Sequence, residues 1–318
     1  MRPIKLLKSV PKLDYFRHHK LCFAISIILC LVSVVSLATR GLNYGVDFAG
    51  GIMIEVRMPT AANLGELRQR VSALNVGDVS LQEFGSDREI LIRVERQAGG
   101  EQAEMDVVRR VRESLGEGVE YRRVEVVGPK VGAELIRGSI LAVALSLVGI
   151  LGFMAFRYGW QASVSGVIAL LHDCVTTVGL FSVTGLQFDL NTVAAVVTIA
   201  GFSINDTVVI DDRIRENSRK FKRMDFREVV NLSVNQTMSR TIMTNGLLFL
   251  AALALFLFGG PVLQGLNVAL LWGVIIGTYS TVYVAAPLEW YLVGKRRKAH
   301  EADATEPTEP GAPQQSQG

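Results

Sequence analysis

Cysteine is scarce in this sequence: three occur in 318 residues, Cys22, Cys30 and Cys174, and each lies inside a long apolar run. No C-x-x-C pair is present, and the polar stretch from 41 to 137 contains no cysteine. A disulfide framework is therefore excluded there, and nothing suggests a metal site. Charge is also thin, at 20% of residues with a net +3. That small excess gives no reason to expect nucleic acid. Signatures of common catalysts are missing as well. No G-x-x-x-x-G-K-[ST] cradles ATP phosphates, no H-E-x-x-H binds zinc, and no G-x-S-x-G presents a nucleophile. An intramembrane aspartyl protease would share a proton between two acids. Such enzymes carry G-x-G-D, whereas the candidate acids here stand in LLHDC and SINDT. The expectation is a non-enzymatic chain with no cofactor.

What the sequence does have is long runs without charge. Residues 21–39 and 139–156 are uncharged, 158–188 carry only His172 and Asp173, and 241–288 carry no charge. Roughly 20 helical residues cross a bilayer, and GGP at 259–261 divides the last run. Six membrane spans are expected at about 20–39, 137–156, 161–184, 190–211, 241–259 and 264–290. The first reads as a retained anchor, because its apolar stretch exceeds a signal-peptide core and no A-x-A site follows. Arginine and lysine crowd residues 1–20, the loop 212–239 and KRRK at 295–298, while 185–190 and 259–264 have none. The positive-inside rule then puts both termini in the cytoplasm.

The fold class expected is thus an α-helical polytopic membrane protein with six transmembrane helices and one ferredoxin-like α+β periplasmic domain. The domain occupies 41–137 between the first span (21–39) and a bundle of five spans (138–292). Its strands read as 51–58, 78–84, 88–95 and 119–127, and its helices as 63–74 and 101–116, in the order β-α-β-β-α-β. Gly85, Ser86 and Asp87 supply a turn between the middle strands. Acids and bases nearly balance within it, and no cluster has catalytic spacing, so it reads as a binding or lever domain. The cytoplasmic segments at 1–20 and 293–318 complete the chain, and the polar, proline-rich end reads as disordered.

Ionisable groups inside a span are costly and tend to face a bundle interior, a partner or water. Three stand out: Asp173 in the middle of the third span, Asp206 about five residues inside the end of the fourth, and Arg240 at the entrance of the fifth. Each also has a plainer reading. Arg240 can snorkel to headgroups, Asp206 can reach interfacial water, and Asp173 can hydrogen-bond a neighbouring helix. Joined together, Asp206 and Arg240 enter one leaflet from helices linked by one loop. A shift in their distance would alter whether the acid holds a proton, which describes a proton-driven switch. Asn205, Thr207, Asn191 and Thr244 are candidate polar support.

Several motifs carry a family resemblance: YGVDFAGG (44–51), LHDCVTTVGLF (171–181), DLNTVAAVVTIAGFSINDTVVIDDRIREN (189–217), NLSVNQTMSRTIMTN (231–245) and GTYSTVYVAAPL (277–288). Together they resemble the SecD/SecF family, itself related to the resistance-nodulation-division transporters, over roughly residues 15–292. The NDTVV spelling and the small outer domain set the chain apart from SecD, its implied partner. The resemblance implies a multi-pass protein of the bacterial inner membrane that works with SecD at the SecYEG channel, often with YajC. It implies use of the proton-motive force to promote preprotein translocation and release at the periplasmic face. The family's proton-path aspartate falls on Asp206, its essential arginine on Arg240, and a further polar position on Asp173. Asp47, Gly50 and Gly51 match the signature at the domain's start and read as structural. Asp211 departs from the family, which has a bulky residue there, and reads as sitting in headgroup water beside Asp212. Two other readings stay open: a small-molecule exporter of the same superfamily, and a passive scaffold.

Overall fold

The computed structural model describes residues 13–294, apart from Gly85, Ala98 and 261–262. The first twelve residues, KRRK and the polar end therefore lie outside the described residues, as do Gly85 of the expected turn and Pro261 of GGP. Six helices are long and apolar enough to span a membrane: His19–Arg40, Val131–Tyr158, Trp160–Thr184, Leu190–Lys220, Phe226–Phe258 and Gln264–Gly294. The protein is a multi-pass membrane protein. In chain order these segments belong to α1 (His19–Arg40), α5 (Pro129–Tyr158), α6 (Trp160–Thr184), α7 (Leu190–Lys220), α8 (Phe226–Phe258) and α9 (Gln264–Ser280). The last span continues through a π-helical turn at Thr281–Ala285 to Gly294.

Between α1 and α5 lies a small α/β unit. Strands β2 (Gly51–Arg57), β3 (Val79–Phe84), β4 (Ser86–Val94) and β5 (Glu120–Val127) form an antiparallel sheet ordered β3-β4-β2-β5. Helices α3 (Leu64–Ser72) and α4 (Gly100–Leu115) make the two crossovers. Successive strand residues point to opposite faces. Ile52, Ile54 and Val56 on β2 and Ile90, Ile92 and Val94 on β4 therefore meet Leu67, Val71, Val107 and Val111 from the helices. Each fully buried isoleucine contributes on the order of 2 kcal/mol. The opposite face carries Glu55, Arg93, Arg123 and Glu125, and looks across a cleft of about 300 Å³ toward Asn191 and Gln264 of the bundle. Burial lowers the Arg93 guanidinium from its ordinary value, with the charge of Asp189 opposing.

Three boundaries differ from the sequence expectation. The polar loop expected over 212–239 is mostly helix, because α7 runs to Lys220 and α8 starts at Phe226, capped by Asp225. A helix need not stop where the apolar run stops when its polar extension finds packing. Here Asn217 donates to Ser233 at 2.9 Å and Gln236 at 3.0 Å, while Ile214 packs with Val230 and Val234. Secondly, 41–50 does not belong to the sheet. Asn43–Tyr44 (β1) pairs in parallel with Gln187–Phe188 (β6) from the loop between α6 and α7, and Val46–Ala49 (α2) packs on α5. At the other end Pro129 opens α5 at once, so the expected unit ends near 127 rather than 137.

Two crossings fix how closely the bundle packs. A Cβ on Gly179 of α6 would lie 2.1 Å from Ser33 Oγ of α1, and one on Gly273 of α9 would lie 2.3 Å from Ile199 Cγ1 of α7. Small residues let membrane helices approach in this way.

Candidate functional site

Four helices position the polar centre. Helix α7 starts where it does because the Asp189 carboxylate accepts from Thr192 N at 2.8 Å, an N-cap that satisfies an otherwise orphaned donor. Asp47 Oδ2 accepts from the adjacent Leu190 N at 3.0 Å. The signature residue thereby ties α2 to the head of α7. Gly51 supports the same region through its backbone, with φ +109° and Val94 O only 2.7 Å from where a Cβ would sit. Gly50 also has positive φ, at 74°.

Along α7, residues 203, 206, 207, 210, 211, 214 and 217 form one buried stripe. Asp206 is 4% exposed. Its Oδ2 accepts a 2.6 Å hydrogen bond from Asn245 Nδ2 of α8, and the same nitrogen donates to Thr278 Oγ1 of α9 at 2.6 Å. Thr278 in turn donates to Val274 O at 2.7 Å. One amide thus links an acid on α7 to a hydroxyl on α9. Sequence reasoning missed Asn245 and Thr278. The available signal was an asparagine set in the charge-free run that starts just after Arg240.

Asp173 of α6 is completely buried. Its Oδ2 accepts from Ser203 Oγ of α7 at 2.7 Å and from Ser280 Oγ of α9 at 2.8 Å, while Oδ1 meets His172 Nδ1 at 3.1 Å. Among the described residues His172 Nε2 has no hydrogen-bond partner. The acid joins three helices, and Ser203 stands three residues before Asp206 on α7. Thr207 donates to Ser203 O at 3.2 Å and reaches Thr281 Oγ1 at 3.5 Å, extending this polar seam toward the π turn.

The remaining expected residues separate into groups. Arg240, expected to enter the same leaflet as Asp206, makes no ion pair: among the described residues no carboxylate lies within ion-pair distance of it, and it is exposed. Its charge still acts on Asp206 through space, but Asn245 occupies the bonding position. Asn205 is exposed on the outer side of α7, in line with Gly201 and Thr198. Asn191 lies at the opposite end of α7, in the cleft beneath the sheet. Thr244 donates to Arg240 O on its own helix at 3.0 Å. Asp211, expected in headgroup water, is 6% exposed. The helical period explains the correction: 211 follows 207 by four residues and shares its face, whereas Asp212 is turned outward.

Chemically, this centre links side chains of α6, α7, α8 and α9 by hydrogen bonds. It has acids, hydroxyls and amides, and among the described residues no group of three or more His, Cys, Asp or Glu could hold a metal.

Comparison with known proteins agrees with this architecture. The family described as protein export membrane protein SecD/SecF, C-terminal, matches residues 107–295, and the SecD/SecF GG motif matches residues 35–58. The protein translocase subunit SecF of Vibrio alginolyticus is 40% identical over 286 residues, covering 89% of this chain and 91% of that protein. The same-named subunit of Rickettsia prowazekii (strain Madrid E) is 40% identical over 293 residues, covering 90% and 93%. The crystal structure of SecDF, a translocon-associated membrane protein from Thermus thermophilus, superposes with a TM-score of 0.80 at 31% identity over 93% of this chain. SecDF in its super-membrane-facing form gives 0.70 at 32% identity over 96%. This chain spans about two-fifths of those solved chains, 40% and 42% respectively.

Proposed function

The chain belongs to the SecD/SecF family of protein-export membrane proteins, and on that premise we propose that it is an accessory subunit of the Sec protein translocase. It pairs with SecD at the SecYEG channel, with YajC an additional companion, in the bacterial inner membrane with both termini cytoplasmic. Its outer unit is a ferredoxin-like periplasmic domain, a reading supported by the sheet order β3-β4-β2-β5 and the β-α-β-β-α-β connection. The proton-motive force promotes preprotein translocation and release at the periplasmic face through Asp206, with Arg240 and Asp173 completing the proton pathway.

The observation that carries this is Asp206 itself. A charged aspartate inside a membrane span is costly unless it faces a partner or water. This one is 4% exposed, linked to two other helices through a single amide, and close to an arginine. Movement of α8 or α9 therefore changes what stabilises the carboxylate, and proton uptake in turn biases the helix arrangement. The pairing with SecD is supported by the open face beside it. Thr198, Gly201, Phe202, Asn205 and Arg240 are exposed at membrane depth on α7 and α8, and polar groups there need a protein or water neighbour.

Replacing Asp206 by Asn keeps the shape and the hydrogen bond from Asn245. Export of a secreted preprotein in cells carrying D206N should fall to the level seen when the membrane potential is collapsed, at normal protein abundance. Export that still rises with the potential would favour the scaffold. Small-molecule export, the other reading, draws on an apolar cavity of about 520 Å³ lined by Leu37, Ile140, Val143, Leu147, Val175 and Val178. The cavity lies in the wall of the bundle and includes none of the three charged residues, so it supplies no coupling.

A further inference from the structure

One pair of acids has no part in the pathway above. Asp211 on α7 and Glu289, beyond the π turn in the last span, are 6% and 7% exposed. Their carboxyl groups lie within hydrogen-bonding reach of each other. Among the described residues, Asp211 Oδ2 and Glu289 Oε2 are nevertheless shielded from solvent without a hydrogen-bond partner. Around them Ile210 and Ile214 of α7, Val230 of α8, Val282 and Ala286 of the last span, and Phe16 of the amino-terminal segment form one apolar cluster.

The neighbouring charges do not neutralise them. Asp212, next along α7, faces outward and pairs with Arg157 of α5 at 3.2 Å. Asp14 of the amino-terminal segment is exposed and lies 3.7 Å from Arg227 of α8. Tyr283 in the π turn meets Tyr15 edge to face. Among the described residues neither carboxyl has a basic partner.

Two carboxylates pressed together in an apolar shell cannot both stay ionised, because each loses its water and each repels the other. A hydrogen between them supplies the missing donor. A divalent cation is a poor alternative: it needs about six oxygens, and no third acid, histidine or cysteine joins the pair. We propose that Asp211 and Glu289 form a second proton-holding site, about 7.5 Å along α7 from Asp206 by helix rise, loaded and unloaded as the last span moves against α7. Uptake turns a carboxylate and a carboxylic acid sharing one hydrogen into two carboxylic acids, and release returns that proton to water. The titration belongs to the pair rather than to either residue. The use of this site in transport rests on the proton-coupled reading given above, whereas its protonation does not.

The test is the double variant D211N/E289Q in the full chain with its SecD partner, because it preserves shape and hydrogen bonding while removing the exchangeable proton. Infrared difference spectra of the wild-type complex against this variant, in lipid at neutral pH, should show a protonated-carboxyl C=O band lost in the variant. A difference containing carboxylate bands alone would overturn the site. At unchanged thermal stability, gradient-driven preprotein export should fall to the level without a gradient. Wild-type export would reduce the pair to a structural hydrogen bond and overturn the proposal. Should D206N keep its gradient dependence, the proton-coupled reading fails, and the infrared result still decides whether the pair holds a proton.

Discussion

Asn245 is uncharged, yet both of its amide hydrogens are committed, one to Asp206 and one to Thr278. Replacing it by Leu would leave a buried acceptor without its donor, at a cost of about 1–3 kcal/mol. N245L should lower the unfolding midpoint of the purified protein and reduce gradient-driven export. If Asn245 acts through the acid, adding N245L to D206N should cost no further export, the signature of coupled residues in a double-mutant cycle. Additive losses would contradict that link. Asp173 and Asp206 were legible in the sequence because a charge in an apolar run is conspicuous. Asn245, Thr278 and Ser280 were not, since neutral polar residues in such runs more often bond their own helix, as Thr244 does. Glu289 escaped notice because it falls one residue past the charge-free run. Asp211 was misplaced by its neighbour Asp212, although counting from Thr207 by helical period puts it on the buried face.

At the level of elements, the positions of the spans were legible and their ends were not. Hydropathy reports how much of a helix suits lipid and says little about how far its hydrogen bonds continue, so α7 and α8 run past the apolar stretch into a polar pair of helices. The strands were found within a residue or two because alternation of apolar residues is a strong local signal. β1, β6 and α2 were missed, because each is short and is held by tertiary contact. Gly179 reads in the sequence as a residue that permits close helix approach, but the residue it meets was not legible. A Cβ on Gly179 would sit 2.1 Å from Ser33 Oγ, 2.2 Å from its Cβ and 2.8 Å from its Cα. Gly179→Ala therefore has to push α1 away from α6, at about 1–3 kcal/mol for an overpacked contact. Thermal unfolding in lipid should show the loss. Because the α1 backbone itself is in the way, Ser33→Gly should not rescue it, and full rescue would place the clash in the Ser33 side chain.

For the whole molecule, the proposed pairing would place a companion protein on the exposed stripe of α7. A chain with Cys22, Cys30 and Cys174 replaced by Ser and carrying Asn205→Cys should form a disulfide with a suitably placed cysteine in SecD. The same experiment at Phe156, 92% exposed near the end of α5, should not. Equal yields would mean the stripe has no special role in pairing. The connection between the sheet unit and the membrane has a mechanical consequence. Helix α5 is unbroken for 30 residues, about 45 Å, and begins one residue after β5. Its first turn is wedged against α2, where a Cβ on Gly132 would meet Phe48 O at 2.9 Å, and α2 also caps α7 through Asp47. No slack exists between sheet and helix to absorb a rotation. A tilt of about 10° at the outer end of so stiff a spar would sweep its inner end through about 8 Å. A rotation of the sheet unit would therefore move α5 with it and, through Asp47, bear on the head of α7.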